Sequence, residues 1–80
     1  MTAVIYTTPS CAYCPRVRKF LTDNLVEFTE RNVNIPEIGK EAFELSGGML
    51  TVPITLIIRE DGTKTVIVGW NYAKLKEAIA

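Results

Sequence analysis

Both cysteines of the sequence lie in one short segment, Cys11-Ala12-Tyr13-Cys14. Two thiols at this spacing close a very small ring when they oxidise, and such a ring removes little conformational entropy from the unfolded chain. The disulfide would therefore be a weak structural crosslink but a good redox switch, because one sulfur can attack a substrate disulfide while the other completes the exchange. The spacing predicts thiol–disulfide chemistry.

The two cysteines are expected to have different roles. A thiolate is the nucleophile in such chemistry, so the attacking thiol needs a pKa below its free value of about 8.5. We expect Ser10 to cap a helix that starts at Cys11, where unpaired backbone N–H groups and the helix dipole favour the anion. Cys14 lies one turn further in, under Tyr13 and Pro15, and should be less exposed and less acidic. Cys11 is therefore the predicted nucleophile and Cys14 the resolving thiol.

Two other interpretations of the cysteine pair remain open. A Cys-x-x-Cys segment supplies two of the usual four ligands of structural zinc, and the sequence contains no histidine and no further cysteine. A metal or iron–sulfur module would therefore need a second chain to contribute another pair. A non-catalytic domain with idle cysteines is the third interpretation, and it predicts an ordinary pKa for Cys11.

Length and composition indicate one globular domain over residues 1–80, since 48% of the residues are hydrophobic. Nine basic residues balance nine acidic ones, so the charge gives no indication of a nucleic-acid partner or an anionic membrane surface. No apolar run is long enough to cross a bilayer, and no secretory signal is visible. Together with the low cysteine count, these features favour a cytoplasmic location, and we expect a monomer.

Hydrophobic periodicity predicts seven secondary-structure elements. The strands fall at residues 3–7, 26–30, 54–58 and 65–68, and the helices at 11–23, 34–45 and 72–79. The order β-α-β-α-β-β-α begins with a right-handed parallel βαβ unit and ends its sheet with a hairpin turning at Asp61-Gly62. The prediction is an α/β fold with a four-stranded mixed sheet and helices on both faces. A Cys-x-x-Cys beside a βαβ unit indicates a thioredoxin-like redox domain.

Helical spacing also predicts which side chains form the core. The first helix has an apolar stripe of Val17, Phe20, Leu21 and Leu25. The second helix has a stripe of Ile35, Ile38, Ala42 and Leu45. The aromatic side chains of Tyr6, Phe20, Phe28 and Phe43 are expected in the core as well.

Several motifs together resemble the glutaredoxin family over nearly the whole chain. They are Cys11-Ala12-Tyr13-Cys14 opening a helix, Thr51-Val52-Pro53 before a strand, and a glycine before the last helix. The resemblance implies a thioredoxin-like fold in which Pro53 is cis and lies beside the first cysteine, although base rates for X–Pro bonds favour trans. It also implies that the Val52 backbone pairs with an extended substrate and that Tyr13 flanks the reactive thiol.

The sequence departs from glutathione-using members of this family at several positions. Ala12 replaces the usual proline, and Thr8 stands where those members commonly have a lysine or arginine. The turn after the fourth strand is Gly69-Trp70-Asn71, without the acidic residue that would meet the α-amino group of glutathione. The loop 47–50 is apolar, whereas many glutathione-using members have a basic or amide residue there that binds a carboxylate of glutathione. At these positions the sequence more closely resembles the small glutaredoxin-like redoxins that take electrons from thioredoxin reductase.

The sequence therefore predicts a dithiol–disulfide oxidoreductase that reduces protein disulfides and needs no bound cofactor. The Cys11–Cys14 disulfide would be re-reduced with electrons from NADPH through a thioredoxin reductase; the alternative is a glutathione-dependent glutaredoxin. The expected substrate contacts are Tyr13, Thr51, Val52, Pro53, Gly69, Trp70 and Asn71. An apolar rim of Met49, Leu50 and Trp70 would suit docking onto a protein, unless Leu50 and Trp70 pack into the core.

Overall fold

The secondary structure follows the predicted order β-α-β-α-β-β-α. The structure is a computed structural model, and it describes residues 1–49 and 51–80. Its elements are β1 (Thr2–Thr7), α1 (Cys14–Asp23), β2 (Glu27–Asn32), α2 (Pro36–Leu45), β3 (Ile54–Ile58), β4 (Lys64–Val68) and α3 (Tyr72–Ile79). No helix within these described ranges is long and apolar enough to span a membrane.

The four strands form one mixed sheet in the order β2-β1-β3-β4. β1 pairs with β2 in parallel, and the β1–β3 and β3–β4 pairs are antiparallel. The near-continuous apolar character of β1 and β3 fits this arrangement, because both strands are central and both of their faces are covered. The predicted four-stranded mixed sheet is confirmed.

Helices cover both faces of the sheet, and each face has its own apolar cluster. One cluster joins α1 and α3 to the sheet and includes Ile5, Val17, Leu21, Ile57, Ile67 and Leu75. The other cluster joins α2 to the opposite face and includes Tyr6, Ala42, Ile54 and Leu56. This division follows from the alternation of side chains along each strand, which sends consecutive residues to opposite faces.

Three large side chains that the sequence predicted to lie in the core are exposed. Leu25 is 92% exposed because α1 ends at Asp23, before the apolar stripe is complete. Phe43 is 42% exposed, since the side of α2 that meets the sheet is centred on the small residue Ala42. Ile35 is 46% exposed because it is the residue that precedes the first turn of α2. The core is correspondingly smaller than predicted on both faces of the sheet.

The hairpin between β3 and β4 turns where the sequence predicted. Asp61 Oδ1 accepts hydrogen bonds from both the backbone N–H and the hydroxyl of Thr63. Gly62 has a φ of 90°, a conformation that glycine adopts without steric cost. The Asp-Gly pair thus supplies both the side-chain acceptor and the backbone freedom that this turn requires.

Candidate active site

The two cysteines form a disulfide immediately after the carboxyl end of β1. Their Cα atoms are 5.5 Å apart, and Cys14 is the first residue of α1. Cys11 is partly accessible to solvent, whereas Cys14 is fully buried. This difference in exposure between the two residues agrees with the predicted order of burial.

The start of α1 differs from the prediction. The helix begins at Cys14 rather than Cys11, its N-terminal flanking residue is Tyr13, and no side chain caps it. Pro15 explains the shift: a helix that began at Cys11 would place this proline in its second turn, where it would remove a backbone hydrogen bond and clash with the preceding turn. The Ser10 hydroxyl instead lies 3.4 Å from that of Thr8.

Cys11 therefore lies in the turn that leads into the helix, and the helix terminus still faces its sulfur. The backbone N–H of Cys11 donates to the carbonyl oxygen of Thr8 over 3.2 Å, which fixes the turn. The backbone N–H of Cys14 donates to Cys11 Sγ over 3.1 Å. This N–H is one of the donors that a helix leaves unpaired at its first turn, so it is available to a negatively charged sulfur.

Tyr13 projects beside this turn and is 51% exposed. The guanidinium of Arg16 lies 5.7 Å from the centre of its ring, a distance at which a cation interacts favourably with an aromatic face. The next basic residue of α1, Arg18, is bound to the carboxylate of Glu30 at 2.6 Å. Arg16 is thus held on the aromatic ring next to the cysteine turn, and Arg18 is held on β2.

The segment Thr51-Val52-Pro53 lies at the same end of the sheet as the disulfide. Tyr6 near the end of β1 pairs with Ile54 at the start of β3, so the residues after β1 run alongside the residues before β3. Pro53 is buried, Val52 is partly exposed, and the peptide bond between them is cis. The Pro53 carbonyl oxygen accepts the N–H of Gly69 over 2.7 Å, which joins this segment to the turn after β4.

The turn Gly69-Trp70-Asn71 is partly buried, and its side chains have structural partners. Asn71 caps α3, because its Oδ1 accepts the backbone N–H of Lys74 over 3.0 Å. Trp70 packs against the cluster shared by α1 and α3, and its ring centre lies 6.3 Å from that of Tyr72. Packing of Trp70 into the core was one of the two interpretations of this residue.

A mostly apolar groove of about 220 Å³ opens between α2 and the segment that precedes β3. We call it the α2 groove, and it is lined by Thr8, Val33, Gly39, Ala42, Phe43, Met49, Thr51, Val52 and Ile54. Met49 is 50% exposed, as the predicted apolar rim requires, whereas Leu50 lies outside the described residues. Phe43 was missed as a surface residue because its large aromatic side chain was predicted to lie in the core.

Gly39, a glycine within the second helix, is the sequence feature that could have indicated this groove. A Cβ atom at this position would lie 2.6 Å from the backbone oxygen of Val33. The close approach explains a glycine in the middle of a helix, where it otherwise costs stability. It draws α2 against the loop that follows β2 and so shapes one wall of the α2 groove.

Nothing in residues 1–49 and 51–80 brings three or more His, Cys, Asp or Glu side chains together as a metal site would require. The cysteine pair is oxidised to a disulfide in this structure. The site as described consists of a disulfide-bonded cysteine pair, a helix terminus and two neighbouring backbone segments.

Comparison with known proteins places this arrangement in a family. The sequence model of glutaredoxin matches residues 3–60, which include both cysteines and the segment 51–53 but not the turn 69–71. An uncharacterised glutaredoxin-like 8.6 kDa protein in the rubredoxin operon of Clostridium pasteurianum is 29% identical over 94% of this chain and 93% of its own length. The global transcriptional regulator Spx of Enterococcus faecalis is 32% identical over 79% of this chain, which spans only 41% of that relative.

A solved structure agrees with this assignment. The thioredoxin-like protein BC3987 superposes with a TM-score of 0.74 at 26% sequence identity, covering 96% of this chain and 99% of the other. The predicted thioredoxin-like fold is confirmed by this similarity and by the sheet order. The paired cysteines at the end of β1 support a general thiol-redox function. The chain belongs to the glutaredoxin family.

Proposed function

We propose that the protein reduces disulfides of protein substrates, with Cys11 as the nucleophile and Cys14 as the resolving thiol. The observation that carries this proposal is the pairing of a partly exposed cysteine, Cys11, whose sulfur accepts a helix-terminal N–H at 3.1 Å, with a fully buried one, Cys14. An incoming substrate can reach the first sulfur, and the helix terminus favours the thiolate there. The second sulfur is reached only from within the protein.

The reaction takes place in two exchange steps. The Cys11 thiolate attacks one sulfur of the substrate disulfide, forms a mixed disulfide and displaces the other substrate sulfur as a thiolate. Cys14 then loses its proton, and its thiolate attacks Cys11 Sγ. The second substrate sulfur leaves as a thiolate, which takes up a proton from solvent. Two electrons have then passed from the dithiol to the substrate, and the Cys11–Cys14 disulfide remains.

An extended segment of the substrate would lie along Thr51 and Val52. These residues are exposed and partly exposed, respectively, and they precede β3 at the end of the sheet that carries the disulfide. Strand addition of this kind obtains affinity from backbone hydrogen bonds and specificity from side-chain pockets. The α2 groove, which both residues line, supplies such a pocket for an apolar side chain. Tyr13 completes the proposed contact surface, and the buried Pro53 would act only by fixing the backbone of Val52 before it.

The proposed electron donor is a thioredoxin reductase that uses NADPH, rather than glutathione. Phe43 and Met49 make the α2 groove apolar, which disfavours a carboxylate of glutathione. Thr8 at the end of the groove is uncharged, and Asn71 is neutral and already caps α3. These residues give a small charged tripeptide few partners, whereas a protein can use the apolar surface. We place the reaction in the cytoplasm, with a monomeric protein.

A comparison of reductants tests the donor. Reduction of a protein disulfide should be efficient with NADPH and thioredoxin reductase, and slow with reduced glutathione regenerated by glutathione reductase. The double variant Thr8→Lys, Asn71→Asp introduces the charges that the family resemblance associates with glutathione, and it should raise the glutathione-dependent rate; aspartate can still cap α3. The single change Thr29→Lys on β2 is the control for added positive charge. Turnover by glutathione alone would contradict the choice of donor.

A further inference from the structure

Among residues 1–49 and 51–80, four buried residues belong to neither apolar cluster. They are Thr7, Cys14, Pro53 and Thr55. Two of them carry hydroxyl groups, and these threonines are the buried polar residues of the described chain. Cys14, the proposed resolving residue, is thus buried without being a member of either hydrophobic cluster.

The topology places these four residues at one end of one face of the sheet. Thr55 pairs with Ile5 across the antiparallel β1–β3 ladder, so both side chains point to the face that α1 and α3 cover. Thr7 lies two residues beyond Ile5 in β1 and points to the same face, and Pro53 lies two residues before Thr55, just outside β3, at the same end of the sheet. The first turn of α1 lies at this end, because α1 follows β1 after a short turn.

The helix presents Cys14 to the same region. Cys14 precedes the buried residue Val17 by three positions and Leu21 by seven, which puts all three on one side of α1. Val17 and Leu21 belong to the cluster on the face where Thr55 lies. Cys14 therefore continues their row toward the end of the sheet that carries Thr7 and Pro53.

The hydroxyl of Thr55 has no hydrogen-bond partner among the described residues in the disulfide form. The residue is 0% exposed, so solvent does not supply the missing partner from the surface. A buried hydroxyl without a partner lowers stability, and valine would fill nearly the same volume without that cost. The position therefore carries a polar group that the oxidised protein does not use.

We propose that the Thr55 hydroxyl is the hydrogen-bond partner of the Cys14 sulfur when the protein is reduced, an inference that rests on the proposed dithiol chemistry. Reduction breaks the Cys11–Cys14 bond, adds two electrons and gives Cys14 a proton. The freed Cys14 side chain can then rotate about χ1 toward the sheet. The hydroxyl accepts a hydrogen bond from the thiol, and in the resolving step it donates one to the thiolate that attacks Cys11 Sγ.

The proposal predicts a change in redox equilibrium on Thr55→Val. Because the hydroxyl would stabilise the dithiol but not the disulfide, its removal should shift the equilibrium with a glutathione redox buffer toward the disulfide. We expect a shift of about tenfold, or about 30 mV toward more negative reduction potential. Thr55→Ser retains the hydroxyl and should stay close to the wild-type value. Thr29→Val, an exposed threonine-to-valine change on β2, is the matched control and should leave the potential unchanged.

Thermal unfolding of both redox forms provides a second measurement. Thr55→Val should raise the melting temperature of the oxidised protein and raise it less, or lower it, after reduction. A lower melting temperature of the oxidised variant would mean that the hydroxyl already has a partner there, and would overturn the proposal. An unchanged potential would do the same, and so would a serine variant that behaves like valine.

These measurements separate the inference from the proposed function. The buffer equilibrium and the melting temperatures require no protein substrate and no reductase. Failure of the protein to reduce protein disulfides, combined with the predicted shift on Thr55→Val, would leave the Thr55–Cys14 interaction standing while removing the proposed activity. Normal reductase-coupled activity combined with an unchanged reduction potential of Thr55→Val would support the proposed activity and overturn the Thr55–Cys14 interaction.

Discussion

The backbone N–H of Cys14 points at Cys11 Sγ and donates to it over 3.1 Å. The helix thus begins at the residue whose N–H meets the sulfur of the partly exposed Cys11, while that same residue, Cys14, is fully buried. One residue therefore both contributes an N–H that favours a thiolate on its neighbour and holds the second thiol away from solvent. The different roles proposed for Cys11 and Cys14 therefore follow from where α1 begins.

Substitution of the two cysteines separates their roles. Cys14→Ser should accumulate a covalent complex with a disulfide substrate, because the nucleophile can attack but the mixed disulfide has no internal thiol to resolve it. Cys11→Ser should accumulate none, since its remaining thiol is buried. Non-reducing electrophoresis and intact-mass spectrometry measure the complex directly. Accumulation with the Cys11 variant alone would reverse the assignment.

Truncation of Phe43 tests the α2 groove as part of the substrate surface. Phe43→Ser should raise KM for a protein disulfide by about five- to tenfold, because an apolar contact at a protein interface is lost. The rate with a small disulfide such as oxidised dithiothreitol should change little. Ile35→Ser is the control, since Ile35 is similarly exposed but does not line the groove. Equal effects of the two variants would argue against the groove.

Leu25 is expected to be a site where glycine stabilises the protein. The end of α1 is a Schellman motif: Val26 N–H donates to the Leu21 carbonyl and Leu25 N–H to the Thr22 carbonyl. Leu25 has a φ of 58° and is 92% exposed, so it bears the steric cost of the left-handed conformation with little burial in return. Leu25→Gly should raise the free energy of unfolding by about 0.5–1 kcal/mol.

Chemical denaturation measures this effect, with Leu25→Ala as the control. Alanine removes the same side-chain contacts but keeps a Cβ atom, so it should not relieve the backbone strain. A gain with alanine as large as that with glycine would show that exposure of the leucine side chain, rather than its backbone conformation, limits stability here.

Tyr6 predicts a loss of stability at high pH. Burial and a hydrogen bond from its hydroxyl to Glu41 Oε2 raise the pKa of Tyr6 to about 12. Above pH 10 the unfolded chain loses this proton while the folded protein retains it, so the free energy of unfolding falls between pH 10 and about 12. Tyr6→Phe lacks the ionisable group and should show a smaller decline over this range.

Urea denaturation at pH 9, 10 and 11 compares the two proteins. The other titrating groups are common to both, so the difference between their pH profiles isolates Tyr6. Parallel profiles would mean that the folded protein does not hold this proton more tightly than the unfolded chain does.

Local sequence patterns determined the order of the elements and the chemistry of the pair. The apolar run 54–58 became β3 with the predicted bounds, and the hairpin turns at Asp61-Gly62 as predicted. Both follow because β-branched residues and turn residues act over a few neighbours. The spacing of Cys11 and Cys14 predicted a redox pair because the two residues are only three positions apart, so the short segment between them decides whether they can form a disulfide.

Other features were decided by contacts between distant parts of the chain. Helical spacing correctly placed Leu21 in the core. Phe43 was predicted there as a large aromatic side chain, and only the packing of α2 on the sheet left it at the α2 groove. In the sequence, Thr55 is an ordinary strand residue. That its hydroxyl is buried without a hydrogen-bond partner depends on the pairing of β3 with its neighbouring strands and on the helices that cover them. Periodicity records which residues share a side of an element, whereas burial depends on what the fold brings to that side. The sequence by itself therefore determined the reactive pair, and the tertiary structure decided the surroundings of each sulfur.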